Sequence, residues 1–135
     1  MARVIGIDYG MKRTGLAVTD PLRIIATPLQ TVESSGALAF LRDYLSKEEV
    51  DEFVIGMPKT LSNEDSEMAA PVRRFVAELE KTFPGKRVHL VDERFTSSMA
   101  RQALIAGGMK KKDRQNKGNV DMVSAAIILQ AFLGL

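Results

Sequence analysis

The sequence predicts an α/β fold: a mixed five-stranded sheet with helices on both faces, ordered β-β-β-α-β-α-β-α-α. Three observations carry this expectation. Val4, Ile5 and Ile7, and later Phe53-Val54-Ile55, are short β-branched or aromatic runs suited to strands covered on both sides. Three strand-like segments come first with only turn residues between them. The two later strands are each reached through a segment of helical periodicity, which favours parallel pairing by right-handed crossovers.

The first strand, residues 4–10, ends on Asp8 and Gly10. Gly6 removes a side chain beside the acid, and Gly10 permits a tight reversal. Met11-Lys12-Arg13 forms a short basic loop before a second strand over residues 14–20. Residues 23–32 make a third strand. Pro28 inside it points to an edge position or a bulge. Ser34-Ser35-Gly36 breaks the pattern, and Leu38, Leu41 and Leu45 mark one face of a first helix to about Glu49.

Residues 53–56 read as a buried strand ending at Met57-Pro58. A polar loop follows, then a second helix from about Glu64 or Ser66 to Thr82, with Val72, Phe75, Val76 and Leu79 inward. Pro71 either starts the regular part of that helix or kinks it. The strand at residues 87–91 runs into Asp92 and Glu93. Thr96 or Ser97 caps a third helix, which Gly107-Gly108 terminates. Asn119 caps the last helix, which runs to about Phe132 with Val120, Val123, Ile127 and Ala131 on one stripe.

The 135 residues suit one domain with a core that needs no staples, at an ordinary 45% hydrophobic and 27% charged. With no cysteine there is no disulfide framework and no thiolate ligand or nucleophile. Strand pattern from Arg3 leaves no room for a signal peptide, and no apolar run is long enough to span a membrane. A cytoplasmic location is expected. Net charge is +2, but residues 108–119 hold Lys110, Lys111, Lys112, Arg114 and Lys117 against Asp113 alone. One basic loop thus sits on a slightly acidic body.

Asp8 and Glu93 each follow a strand expected at the centre of the sheet, and Asp121 lies at the start of the last helix. Parallel strands would bring the first two out at one sheet edge, where ligands bind in open α/β sheets. Ser124, Ala125 and Ala126 are small enough to let that helix press on the sheet. Three carboxylates gathered there repel one another unless a cation neutralises them, and oxygen donors alone suit Mg²⁺ or Mn²⁺. Such a set can run two-metal phosphodiester hydrolysis with no protein nucleophile. Blander readings stand beside this one: Asp8 as a turn cap, Asp121 as a helix-terminus charge, and Asp92 and Glu93 as strand-end charges of which alternation lets at most one join. His89, mid-strand, reads as structural. Lys12, Arg13, Arg94 and the run from Lys110 to Lys117 fringe the acids with bases suited to a phosphate backbone.

In order and at compatible spacing, Gly6-Ile7-Asp8-Tyr9-Gly10-x-Lys12-Arg13-x-Gly15, Thr19-Asp20, Gly56-x-Pro58, Asp92-Glu93-Arg94-x-Thr96-Ser97 and Lys117 through Asp121-x-x-x-Ala125-Ala126-x-Ile128-Leu129 resemble the YqgF-type family. These are the Holliday-junction-resolvase-like proteins described as pre-16S rRNA nucleases. The resemblance covers essentially the whole chain. It implies a single ribonuclease H-like nuclease domain over residues 1–135, with Asp8, Glu93 and Asp121 as catalytic metal ligands for Mg²⁺ or Mn²⁺, two ions in all. It selects Glu93 over Asp92. It implies maturation of the 5′ end of 16S ribosomal RNA, with branched-DNA resolution as the older suggestion. A non-catalytic RNA-binding assembly factor on the same fold is a third reading. An ATP-dependent enzyme of the actin and sugar-kinase type is a more distant one, because the chain supplies a single lobe. The expected partner is nucleic acid held by Lys12, Arg13, Arg94, Lys110, Lys111, Lys112, Arg114 and Lys117, by a monomer or weak homodimer. Many relatives place a glycine where this chain has Ser62-Asn63-Glu64.

Overall fold

The computed structural model describes residues 2–57, 67–92 and 117–133, the last segment without the side chains of 117–120. Its elements are β1 (Arg3–Tyr9), β2 (Arg13–Thr19), β3 (Ala26–Glu33), a 3₁₀ turn (Ser34–Gly36), α1 (Ala37–Lys47), β4 (Val50–Met57), α2 (Ala69–Thr82), β5 (Arg87–Asp92) and α3 (Lys117–Leu133). The expected third helix, the polar loop at 59–66 and the basic loop from 108 through 116 lie outside the described residues, while residues 117–119, expected to end that loop, are helical.

The five strands form one sheet in the order β3-β2-β1-β4-β5. β1 and β2 pair antiparallel, as do β2 and β3, while β4 runs parallel to β1 and β5 parallel to β4. This is the predicted meander followed by two parallel additions. Pro28 lies on the edge strand at a slip in register: Leu16 faces Gln30 and Ala17 faces Pro28, so Leu29 is the extra residue of a bulge.

β3 starts at Ala26, three residues later than expected. Asp20 holds the intervening residues in a turn, its carboxylate accepting the amides of Leu22 at 3.1 Å and of Ile24 and Ile25 at 2.8 Å each. These backbone bonds, Ile25's foremost, hold the Asp20 carboxyl below its usual range. The first helix ends at Lys47, not Glu49, because the Glu49 carbonyl accepts the Arg3 amide and the chain passes into β4. Pro71 sits in the first turn of α2, where its missing N–H has no helical partner to lose.

Alternation along the strands sorts the core into two layers. Ile5, Ile7, Leu16, Val18, Phe53 and Ile55 meet α1 and α2 on one face. Val4, Ala17 and Val54 meet Ala125, Ala126, Ile128 and Leu129 of α3 on the other. β1 and β4 are therefore apolar on both sides, which is why they read as continuous runs.

α3 departs from its expected form in two ways. It begins at Lys117, so Asn119 lies inside the helix instead of capping it, and Asp121 falls just beyond the first turn. The extension adds three residues to an established helix, each gaining a backbone bond; Asn119 costs only tenths of a kcal/mol there, and Gly118 about 1 kcal/mol relative to alanine. The buried stripe runs through Ala125, Ile128 and Leu129, while Val123 and Ile127 are only partly covered and Ala131 is exposed. Nearness of the backbone to the sheet decides this, as described below.

Toward the opposite end of the sheet from Asp8, Glu52 is buried within a charged cluster. It accepts a 2.7 Å hydrogen bond from Arg23 and lies 2.9 Å from His89 Nε2, while Arg23 also reaches Asp51 at 3.5 Å. Arg23 adopts a left-handed backbone, φ 60°, at a strain of about 1–2 kcal/mol. His89 packs its ring on Phe132 at 4.6 Å, in line with the structural role expected of it. Burial pushes the Glu52 carboxyl up, but the His89 hydrogen bond and the Arg23 charge outweigh it and hold the group below its usual value. The resulting stability is present above the ordinary carboxylate pKa and is lost as pH falls through the lowered one. Melting temperature measured from pH 6 to pH 3 should therefore fall more steeply in the wild type than in Glu52→Gln. Parallel curves would show that the cluster contributes nothing to acid sensitivity.

Candidate functional site

Val4, Gly6 and Asp8 alternate onto the α3 face of β1. Ile5, Ile7 and Tyr9 point the other way, where Tyr9 stacks on Phe75 with ring centroids 4.5 Å apart. Asp8 pairs across the sheet with Gly15. A Cβ built on Gly15 would overlap the backbone carbonyl of Asp121 and lie 2.9 Å from its Cβ. A Cβ on Gly6 would come within 2.7 Å of the Ala125 carbonyl oxygen and 3.0 Å of Leu129 Cβ. Two glycines of the sheet thus let the helix backbone lie directly on β1 and β2. Small residues at Ser124, Ala125 and Ala126, all buried, complete the close approach. Asp8 and Asp121 consequently border the same cross-strand position, though most of the chain separates them.

The Asp121 carboxylate is not bare. Arg13 Nε donates to its Oδ2 at 3.1 Å, with the Arg13 side chain 41% exposed and that of Asp121 25%. Arg13 opens β2 and shares a face with Gly15 and Ala17, so the strand aims it at the helix. Lys12 is exposed in the hairpin loop. Ser34 pins that loop: its amide donates to the Lys12 carbonyl at 2.9 Å, its hydroxyl to the Gly10 carbonyl, and Thr14 Oγ1 lies 2.8 Å from the same hydroxyl. A Cβ on Gly10 would come within 2.6 Å of the Arg13 carbonyl oxygen, so this glycine serves close approach. Ser34 and the Arg13–Asp121 pair are the features that sequence reasoning missed. Ser34 read only as a break before a helix, and the ion pair spans 108 positions.

At the end of β5, Asp92 is opposite Met57 and exposed. It follows Val88 and Leu90 in alternation, whereas His89 and Val91 belong to the α3 face. Asp92 therefore falls on the face away from Asp8. Glu93 lies outside the described residues, as do Arg94, Lys110, Lys111, Lys112 and Arg114, and the side chain of Lys117 is likewise not described. Among the described residues no three His, Cys, Asp or Glu side chains group closely enough to hold a metal ion. Of the three predicted carboxylate residues, Asp8 and Asp121 lie on the same face of the sheet, either side of Gly15. They are oxygen donors of the type that hard divalent cations take, and a cationic group already rests on one of them. None of the described helices is long and apolar enough to cross a membrane.

The chain matches the RuvX family, described as Holliday junction resolvase, over residues 2–134. Proteins named "Putative pre-16S rRNA nuclease" are similar throughout. That of Parabacteroides distasonis is 52% identical over 98% of this chain and 95% of its own, and that of Amoebophilus asiaticus 47% over 98% and 94%. Among solved structures, Thermus thermophilus RuvC in complex with a Holliday junction substrate superposes with a TM-score of 0.57 at 17% identity, covering 99% of this chain and 97% of that one. At that identity the likeness shows the fold alone, and it agrees with the ribonuclease H-like arrangement that the family resemblance implies. Matched from end to end by close relatives and by the family pattern, the chain belongs to the RuvX, Holliday junction resolvase-like, family.

Proposed function

We propose that this protein, a nuclease of the RuvX family and so a hydrolase of phosphodiester bonds, is a divalent-metal-dependent endonuclease that processes the 5′ end of precursor 16S ribosomal RNA in the cytoplasm. The reading is supported by the lie of the Asp121 backbone against Gly15, the cross-strand partner of Asp8. Asp8, Asp121 and Glu93 are the ligands. Asp92 is not assigned as a ligand, because it lies on the other face of the sheet from Asp8. A pair of Mg²⁺ or Mn²⁺ ions, when bound, supplies an activated water and charge stabilisation for the leaving oxygen. The chain's own part is to fix the acids against a rigid sheet edge and to hold the phosphate backbone with Lys12, Arg94, Lys110, Lys111, Lys112, Arg114 and Lys117. His89 is engaged with Glu52, so no histidine base is assigned.

Matched substrates decide between the readings. A 5′-extended 16S precursor and a branched DNA are incubated with the protein in Mn²⁺, in Mg²⁺ and in chelator. Metal-dependent cutting of the RNA supports the proposal. Cutting of the branched DNA alone makes the protein a junction resolvase. Tight RNA binding with no cutting in either metal makes it an assembly factor. Replacing Lys110, Lys111 and Lys112 together by Ala should weaken binding and reduce the slope of log affinity against log salt by about 2 if each contacts a phosphate. An unchanged slope would mean that these lysines do not touch the backbone.

A further inference from the structure

We infer that Arg13 is a resident counter-cation of the metal site, which an incoming divalent ion must displace from Asp121. The inference rests on the proposed metal-binding role of Asp8 and Asp121. The Arg13 guanidinium reaches Asp121 Oδ2 through Nε alone, at 3.1 Å, rather than through the two-pronged contact that makes arginine–carboxylate pairs strong. Both partners are partly open to solvent, at 41% and 25% side-chain exposure. Such a pair is worth at most about 1 kcal/mol, well below what a divalent ion on several carboxylates can offer.

The local backbone makes the exchange a side-chain event. Gly10 and Lys12 are tied to Ser34, and Arg13 itself is the first residue of a paired strand, opposite Glu33. Four rotatable side-chain bonds can carry the guanidinium off while the main chain stays in place. The guanidinium partners Asp121 until a metal arrives. Its displacement would leave a cation beside the site, next to where a substrate phosphate must sit. The two roles open to Arg13, partner of an acid and partner of a phosphate, then become successive states of one residue.

The test is calorimetric titration of Mn²⁺ into wild type, Arg13→Gln, Arg13→Lys and Asp8→Asn without nucleic acid, with each fold checked by its melting transition. Arg13→Gln should bind Mn²⁺ roughly two- to fivefold more tightly than wild type, the scale of a half-exposed ion pair. Arg13→Lys, which keeps the charge, should bind Mn²⁺ like wild type and more weakly than Arg13→Gln. Equal or weaker binding by Arg13→Gln overturns the inference, as does Arg13→Lys binding as tightly as Arg13→Gln. Asp8→Asn separates the two levels. If it loses Mn²⁺ while Arg13→Gln gains nothing, the metal site stands and the counter-cation falls. If it binds like wild type, the metal site falls and the counter-cation falls with it.

Discussion

Gly15→Ala is expected to lower the melting temperature by roughly 10 °C, the largest stability effect of any single methyl group described in this fold. The added Cβ, fixed by the β2 backbone, would overlap the main-chain carbonyl group of Asp121. Neither can turn aside as a side-chain tip can, so α3 must lift or β2 must bend. Overpacking of this kind costs about 1–3 kcal/mol and sometimes more. The upper end corresponds to roughly 10 °C for a chain of this size. The damage is also directed: lifting α3 moves Asp121 away from Asp8, so Mn²⁺ binding should weaken in whatever protein remains folded. Gly36→Ala is the control, because a Cβ there meets nothing within 4 Å. Differential scanning calorimetry of both variants checks the expectation. A Gly15→Ala protein melting within a few degrees of wild type would mean that helix and sheet are not in the close contact described.

Asp8→Asn is expected to remove cleavage while sparing the fold and binding. The substitution keeps the side-chain volume in β1 and takes away only the charge that a divalent ion needs. The rate should fall by more than about 10²-fold, the scale on which losing one group that stabilises developing charge acts. Affinity for nucleic acid should be unchanged or slightly higher, because a negative charge leaves a surface that must accept phosphates. Cleavage under single-turnover conditions and fluorescence anisotropy, run side by side, separate the two effects. Retained cleavage would remove Asp8 from the chemistry. A joint loss of cleavage and binding would make it a structural residue.

How much could be read beforehand differs from element to element, for physical reasons. β1 and the apolar part of β4 from Phe53 are legible because burial on both faces leaves a continuous apolar signature, whereas Asp51 and Glu52 hide the strand's start at Val50; Pro28 marks its own edge strand and bulge. The start of β3 is not legible. Ile24 and Ile25 look like strand residues, yet they are 60% and 61% exposed in a turn that the Asp20 side chain holds. The buried stripe of α3 was misread because the missing side chains of Gly6 and Gly15, on other elements, set which helix residues come close. Local periodicity carries no information about that. The same glycines are what bring Asp121 to Asp8, so the site was legible as a list of acids but not as a geometry. Arg13 was legible as a base near the site. Its partner was not, since an ion pair between residues so distant in sequence has no local pattern.

The most direct measurement is an anomalous difference map from crystals of the protein soaked in Mn²⁺ with a non-cleavable oligonucleotide. Density for manganese bridging the carboxylates of Asp8 and Asp121, with the Arg13 guanidinium moved off Asp121, is the predicted result. Manganese bound elsewhere, or none between those two side chains at saturating concentration, would contradict it.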